Sequence, residues 1–186
     1  MKKTILTAAA LLTAACVPSL HPLYTGKDLV FDPALTGAWH TDPGEEEKDR
    51  QRWRFVRNEH SGYTLEHTEN GETRTFTVHL VSLGGARFLD LYPDNPSLAN
   101  TFYQAFLMPV HMFARVNVNG GNLELRFLSD DWVKKAQRAG RLYTAHEKIE
   151  DTILLTAPTP ALQQLIRGAL TDPKAFPDRL KLRRAE

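Results

Sequence analysis

The sequence predicts a mainly β domain, an antiparallel up-and-down barrel of about eight strands with two or three short helices, one of them after the last strand. Three observations carry this. Short segments alternate apolar and polar residues with a period of two. Turn signals recur between them, at Asn70-Gly71, Gly84-Gly85 and Asn119-Gly120-Gly121. A late segment places Leu162, Leu165, Ile166, Ala169 and Leu170 at helical spacing.

The first strand is expected at Gly37–Thr41. In 51–57, Trp53 and Phe55 share one face, and Arg52 and Arg54 the other. Residues 62–68 put Tyr63, Leu65 and His67 together, and 74–83 present Phe76, Val78 and Leu80. Strands are expected at 87–92 and 109–118. In 123–128, Leu123, Leu125 and Phe127 alternate with Glu124 and Arg126. The last strand is expected at 152–157. A meander of this kind closes into a barrel because closure removes exposed edges.

The first helix is expected from Asn95 as cap and Pro96 at the first position, with Leu98, Phe102 and Phe106 along one side. The second is capped by Ser129. Asp130 and Asp131 suit its positive end, Trp132, Val133 and Ala136 form its apolar side, and Gly140 ends it. The third runs from Thr159 and Pro160 to Asp172-Pro173, where proline stops it. Residues 175–186 carry Arg179, Lys181, Arg183 and Arg184 and few apolar groups. They read as a solvated basic tail, with contact to anionic lipid or polymer as the functional alternative.

The N-terminus has its own grammar. Lys2 and Lys3 precede an apolar stretch from Ile5 to Leu12, and small residues Ala14 and Ala15 precede Cys16. This is the order of a secretory signal. The stretch is shorter than the roughly 20 residues a spanning helix needs. Leu12-Thr13-Ala14-Ala15-Cys16 resembles the lipobox of bacterial lipoproteins. The resemblance implies cleavage before Cys16, a diacylglycerol on its sulfur, and acyl chains such as palmitate that anchor the protein. Two or more chains make such attachment stable. Val17 stands where an aspartate would retain a Gram-negative lipoprotein at the inner membrane, which implies the outer membrane, facing the periplasm, in such a cell. The expected plan is a signal at 1–15, a lipidated and partly packed linker at 16–34, the barrel at 35–174 and the tail at 175–186. Pro18, Pro22 and Pro33 forbid regular structure in the linker. Leu20, Leu23, Tyr24, Leu29, Val30 and Phe31 make it too apolar to be solvated throughout.

Leu35-x-Gly37-x-Trp39 resembles the Gly-x-Trp signature of lipocalins. There the tryptophan plugs one end of an eight-stranded barrel. An arginine from just beyond the last strand stacks on it, and a helix after that strand packs outside. After 152–157, no arginine appears until Arg167. The segment from Ser19 to Trp39 also looks like a group of uncharacterised bacterial lipoproteins with Pro-Leu-Tyr, Val-Phe-Asp-Pro-Ala-Leu and Gly-x-Trp in that order. That resemblance implies no activity.

Composition narrows the chemistry. Without Lys2 and Lys3, the 23 basic side chains become 21 against 22 acidic ones. A near-neutral chain gives no electrostatic case for nucleic acid. Cys16 is the only cysteine, so stability must come from packing. The seven histidines lack metal-ligand spacing, although strands would be able to gather His67, His79 and His111. Ser61 sits in a turn beside His60, with no nucleophile elbow around it. Asp130-Asp131 is explained by capping, and Glu45-Glu46-Glu47 by a solvated loop after Pro43-Gly44. No catalytic residue, metal site or cofactor is expected.

Two readings remain. In one, the barrel binds a hydrophobic small molecule or lipid through Trp53, Phe55, Phe76, Phe102, Phe106, Phe113 and Phe127, with Phe102, Tyr103 and Phe106 as a lid. In the other, a filled barrel serves an assembly of envelope proteins through its surface.

Overall fold

A computed structural model describes residues 16–41, 50–59, 61–94, 100–177 and 179–185. The expected signal at 1–15, the acidic loop, His60, and the helix start at Asn95, Pro96 and Leu98 lie outside the described residues.

The alternating segments form strands β1 (Leu29–Val30), β2 (Gly37–Thr41), β3 (Arg52–Arg57), β4 (Tyr63–Glu69), β5 (Glu72–Leu83), β6 (Ala86–Pro93), β7 (Met112–Asn119), β8 (Asn122–Phe127), β9 (His146–Ile149), β10 (Thr152–Leu155) and β11 (Leu180–Arg184). The helices are α1 (Thr101–Gln104), α2 (Asp130–Arg138) and α3 (Thr159–Ala169). Asn70 and Gly71 both take positive φ, 52° and 78°. That geometry matches the strand twist of a two-residue hairpin and sets the Glu69–Glu72 pair.

Among the described residues, eight strands close into an antiparallel barrel, in the order β2-β3-β4-β5-β6-β7-β8-β11 and back to β2. Closure needs β11. Leu182 and Arg184 pair with Thr41 and Trp39 on one side, and Leu180 and Leu182 pair with Leu125 and Leu123 on the other. The boundary expected at 174 therefore moves, since 180–184 is barrel wall and not a solvated tail. Leu180 and Leu182 are buried while Lys181 and Arg183 face water, a half-buried strand with only two apolar side chains.

The strand expected at 152–157 stays outside the barrel. It pairs with β9 as a separate hairpin, and α3 follows it. Ser19 ties this hairpin to the wall. It exchanges backbone bonds with His111 at 2.9 and 2.8 Å, while its neighbours Leu20 and Pro18 bond Leu155, each at 2.9 Å.

Alternation produces two cores. Inside the barrel lie Trp39, Phe55, Tyr63, Leu65, Val78, Leu80, Leu89, Ala114, Leu123, Leu125 and Leu182, among others. The opposite faces of β5, β6 and β7 contribute Val81, Leu83, Phe88 and Phe113 to an outer core. Leu162, Ile166 and Ala169 of α3, Val133 of α2, and Val17 and Leu23 of the N-terminal segment cover them. Ser129 caps α2 as expected, its Oγ accepting from the Trp132 N–H at 3.2 Å. Among the described residues, the first helix is α1, four residues capped by Asn100, whose Oδ1 accepts from the Tyr103 N–H at 2.9 Å.

Candidate functional site

The two ends of the barrel differ. At the end where β2 begins, Trp39 is fully buried and its Nε1 donates to the Leu35 carbonyl at 2.9 Å. The Arg184 guanidinium lies 4.2 Å over the tryptophan ring and donates to the Thr36 and Ala34 carbonyls at 2.9 and 2.6 Å. Gly37 makes room for it. A side-chain carbon there would come within 2.8 Å of an Arg184 nitrogen, and its φ of +114° suits glycine alone. Phe31 stacks on buried Tyr63 with ring centres 5.1 Å apart, beneath Arg57 at 4.5 Å. The Tyr63 hydroxyl donates to the Asp32 carbonyl at 3.0 Å and accepts from the Asp32 N–H at 2.8 Å. Burial pushes the Tyr63 phenol above its ordinary pKa. This end is plugged.

The other end holds a cavity of about 510 Å³, inside the size range of small-molecule sites. Trp53, Leu65, Phe76, Leu91, Met112, Phe127 and Leu180 wall it, and Cys16 stands at its edge with Pro93 and Val110. These side chains alternate along β3 to β8 and β11, so the strand period alone turns them inward. One side is polar. The Gln51 Oε1 accepts from Trp53 Nε1 at 3.2 Å, and its Nε2 donates to Glu69 Oε1 at 2.8 Å. His67 meets Trp53 edge-on, with ring centres 4.8 Å apart. Burial depresses the His67 pKa against a smaller upward pull from Glu69, which favours the neutral imidazole.

Of the seven aromatic residues expected at a site, Trp53, Phe76 and Phe127 line this cavity. Phe55 sits deeper, 6.3 Å from Trp53, as core. Phe113 points the other way, into the outer core, because Asp90–Phe113 and Leu89–Ala114 are successive pairs of β6 and β7 and only the second faces inward. Phe102 and Phe106 do not enter the barrel. They meet each other edge-on at 5.2 Å and are 76% and 70% exposed, so α1 is no lid over the cavity in this conformation. Sequence reasoning missed Leu91, Met112 and Leu180. The alternation of β6 and β7 contains the signal for Leu91 and Met112, as aliphatic residues on the inward face, and Leu180 lies on β11, outside the strands that the sequence predicts.

The histidines are apart. His67 is in the cavity, His79 packs on Tyr24 at 4.3 Å, and His111 Nδ1 lies 2.6 Å from the buried Asp90 carboxylate. Asp90 also accepts from the Leu23 N–H at 2.6 Å, pinning the N-terminal segment to the wall.

Near the plugged end, β6 and β7 pair only as far as Phe88–Arg115. Beyond it lies a polar cleft of about 630 Å³ bearing Arg87, Arg115 and Arg126 with Asp32 and Glu124. Arg87 is bonded to Asp32 and Arg126 to Glu124, so most of its charge is matched internally. The apolar cavity is the better candidate for a ligand.

Comparison with protein families, with characterised proteins and with solved structures finds no match to this chain.

Proposed function

We propose that this chain is a non-catalytic envelope lipoprotein, anchored through an acylated Cys16, whose lipocalin-like barrel holds a hydrophobic small molecule or lipid. The observation that carries the reading is the apolar cavity bounded by Trp53, Phe76, Leu91, Met112 and Phe127. An aromatic and aliphatic wall favours burial of apolar surface, and Gln51, His67 and Glu69 offer hydrogen bonds to a polar head. The likeness to lipocalins draws support from Arg184, which lies over Trp39 from the end of the closing strand. Lipidation of Cys16 and placement in an outer membrane rest on the Leu12–Cys16 segment and Val17.

Mass spectrometry of an organic extract of the purified protein tests the binding reading. A reproducible co-purifying lipid is expected. A clean extract, together with no uptake of a fluorescent fatty acid, would leave service through the surface as the better account. For the anchor, Cys16→Ser is expected to release the protein from the membrane fraction. Unchanged fractionation would refute it.

A further inference from the structure

We propose that the open end of the barrel lies flat on the bilayer that holds Cys16, with the segment from Phe102 to Met108 dipped into its surface. The inference rests on the reading of Cys16 as acylated and adds which way the molecule faces.

Topology makes the first argument. β6 ends and β7 begins at the open end, so the connection carrying α1 projects from the cavity rim. Leu107 and Ala105 border a surface hollow with Tyr92 and Pro93 there. Cys16 stands on the same rim, beside Pro93 and Val110.

Exposure makes the second. Phe102, Tyr103, Phe106, Leu107 and Met108 are 76%, 59%, 70%, 44% and 71% exposed. The other exposed large apolar residues among the described ones, Val56, Tyr143 and Ile149, are scattered in sequence. No acidic or basic side chain occurs from Asn100 to Val110, in a chain that is 24% charged. A concentrated uncharged patch marks a contact surface. Phenylalanine, tyrosine, leucine and methionine suit the boundary between head groups and acyl chains.

The third is the absence of slack. Val17 is buried and Cys16 pairs with Ser129 across a β-bridge. Acyl chains on Cys16 therefore begin at the rim, without a tether to let the barrel turn away. An end held that close to a bilayer presents its apolar segment to lipid, and the cavity mouth opens onto the same surface.

The full-length acylated protein supplies the test, because its single cysteine is consumed by the anchor. Phe106→Cys, and Met108→Cys as a second variant, introduce one free thiol each for an environment-sensitive fluorophore. Asn119→Cys, exposed at the end of β7 beside the turn at the plugged end, is the control. Each is reconstituted in vesicles of phosphatidylethanolamine and phosphatidylglycerol. Labels at 106 and 108 are expected to shift to shorter wavelength and to be quenched several-fold by a shallow lipid-borne nitroxide, while the label at 119 stays at its aqueous wavelength. Labels at 106 and 108 that remain as wet as 119, on protein that carries its acyl mass and floats with the vesicles, overturn the orientation alone. A blue shift without nitroxide quenching means cover by a second copy or another protein, and also overturns it. A protein that has no acyl group and does not float overturns both the anchor and the orientation.

Discussion

At the scale of single residues, the plugged end depends on three positions far apart in sequence. Gly37 adopts φ +114° and leaves space for Arg184, which covers Trp39. Gly37→Ala is expected to cost about 1–3 kcal/mol, through a backbone conformation unsuited to alanine and displacement of the guanidinium. Arg184→Ala is expected to cost about 1–2 kcal/mol, since its contacts lie at the surface. Urea midpoints measure both, and a Gly37→Ala protein as stable as the parent would refute the tight fit. In the cavity, burial holds the His67 pKa down. His40 is depressed likewise, by burial and then by Arg52 and Arg50. With both folded values below the unfolded value of about 6.5, the unfolded chain binds more protons in that window, so stability falls as pH drops below it. His67→Phe is expected to make that fall shallower in urea unfolding measured at several pH values. An unchanged slope would mean that His67 is not held neutral by its surroundings.

At the scale of elements, the closing strand and the N-terminal strap do the most with the least. Leu182 is buried between β2 and β8. Leu182→Asp places an unpaired carboxylate in the barrel interior, where an uncompensated charge is strongly unfavourable. It is expected to abolish the cooperative unfolding transition seen by near-ultraviolet circular dichroism. Asp90 adds a side-chain hold to the backbone bonds of the strap. Asp90→Ala leaves the Leu23 N–H without its acceptor, at a cost of about 1–3 kcal/mol. Limited proteolysis should then cut near residue 20 well before the barrel is lost, and equal protection in both proteins would count against the pinning. Most barrel strands were legible because β3, β4, β5 and β8 each alternate over several residues between Gly or Asn turns. β11 was not, because five residues with two leucines among cations look like solvated chain until a gap between β2 and β8 needs filling. With β10 expected as the last barrel strand, the stacking arginine is expected just after Ala157, and Arg184 lies beyond that place.

At the scale of the whole molecule, the barrel is plugged at one end, with a polar cleft beside the plug, and holds an apolar cavity at the other. Sequence could not apportion this, because alternation tells which side chains point inward but not whether their volumes meet across the axis. Phe55, Leu80 and Leu123 are buried in the inner core, whereas Trp53, Phe76, Met112 and Phe127 stand around a space of about 510 Å³. Met112→Trp is expected to fill part of that space and weaken uptake of a fluorescent fatty acid at least about tenfold, the equivalent of 1.4 kcal/mol, with the thermal midpoint little changed. Full uptake in a folded variant would place the ligand elsewhere. The pairing of Trp39 with Arg184 also has a kinetic side. A chain made from its N-terminus leaves β2 with an open edge until residues 180–184 arrive, and contacts that distant in sequence form slowly. The barrel therefore cannot close before residues 180–184 have been made. Until those residues are made, the bare β2 edge is open to wrong partners. That order of events makes the interval between emergence and closure the period when the molecule most needs protection.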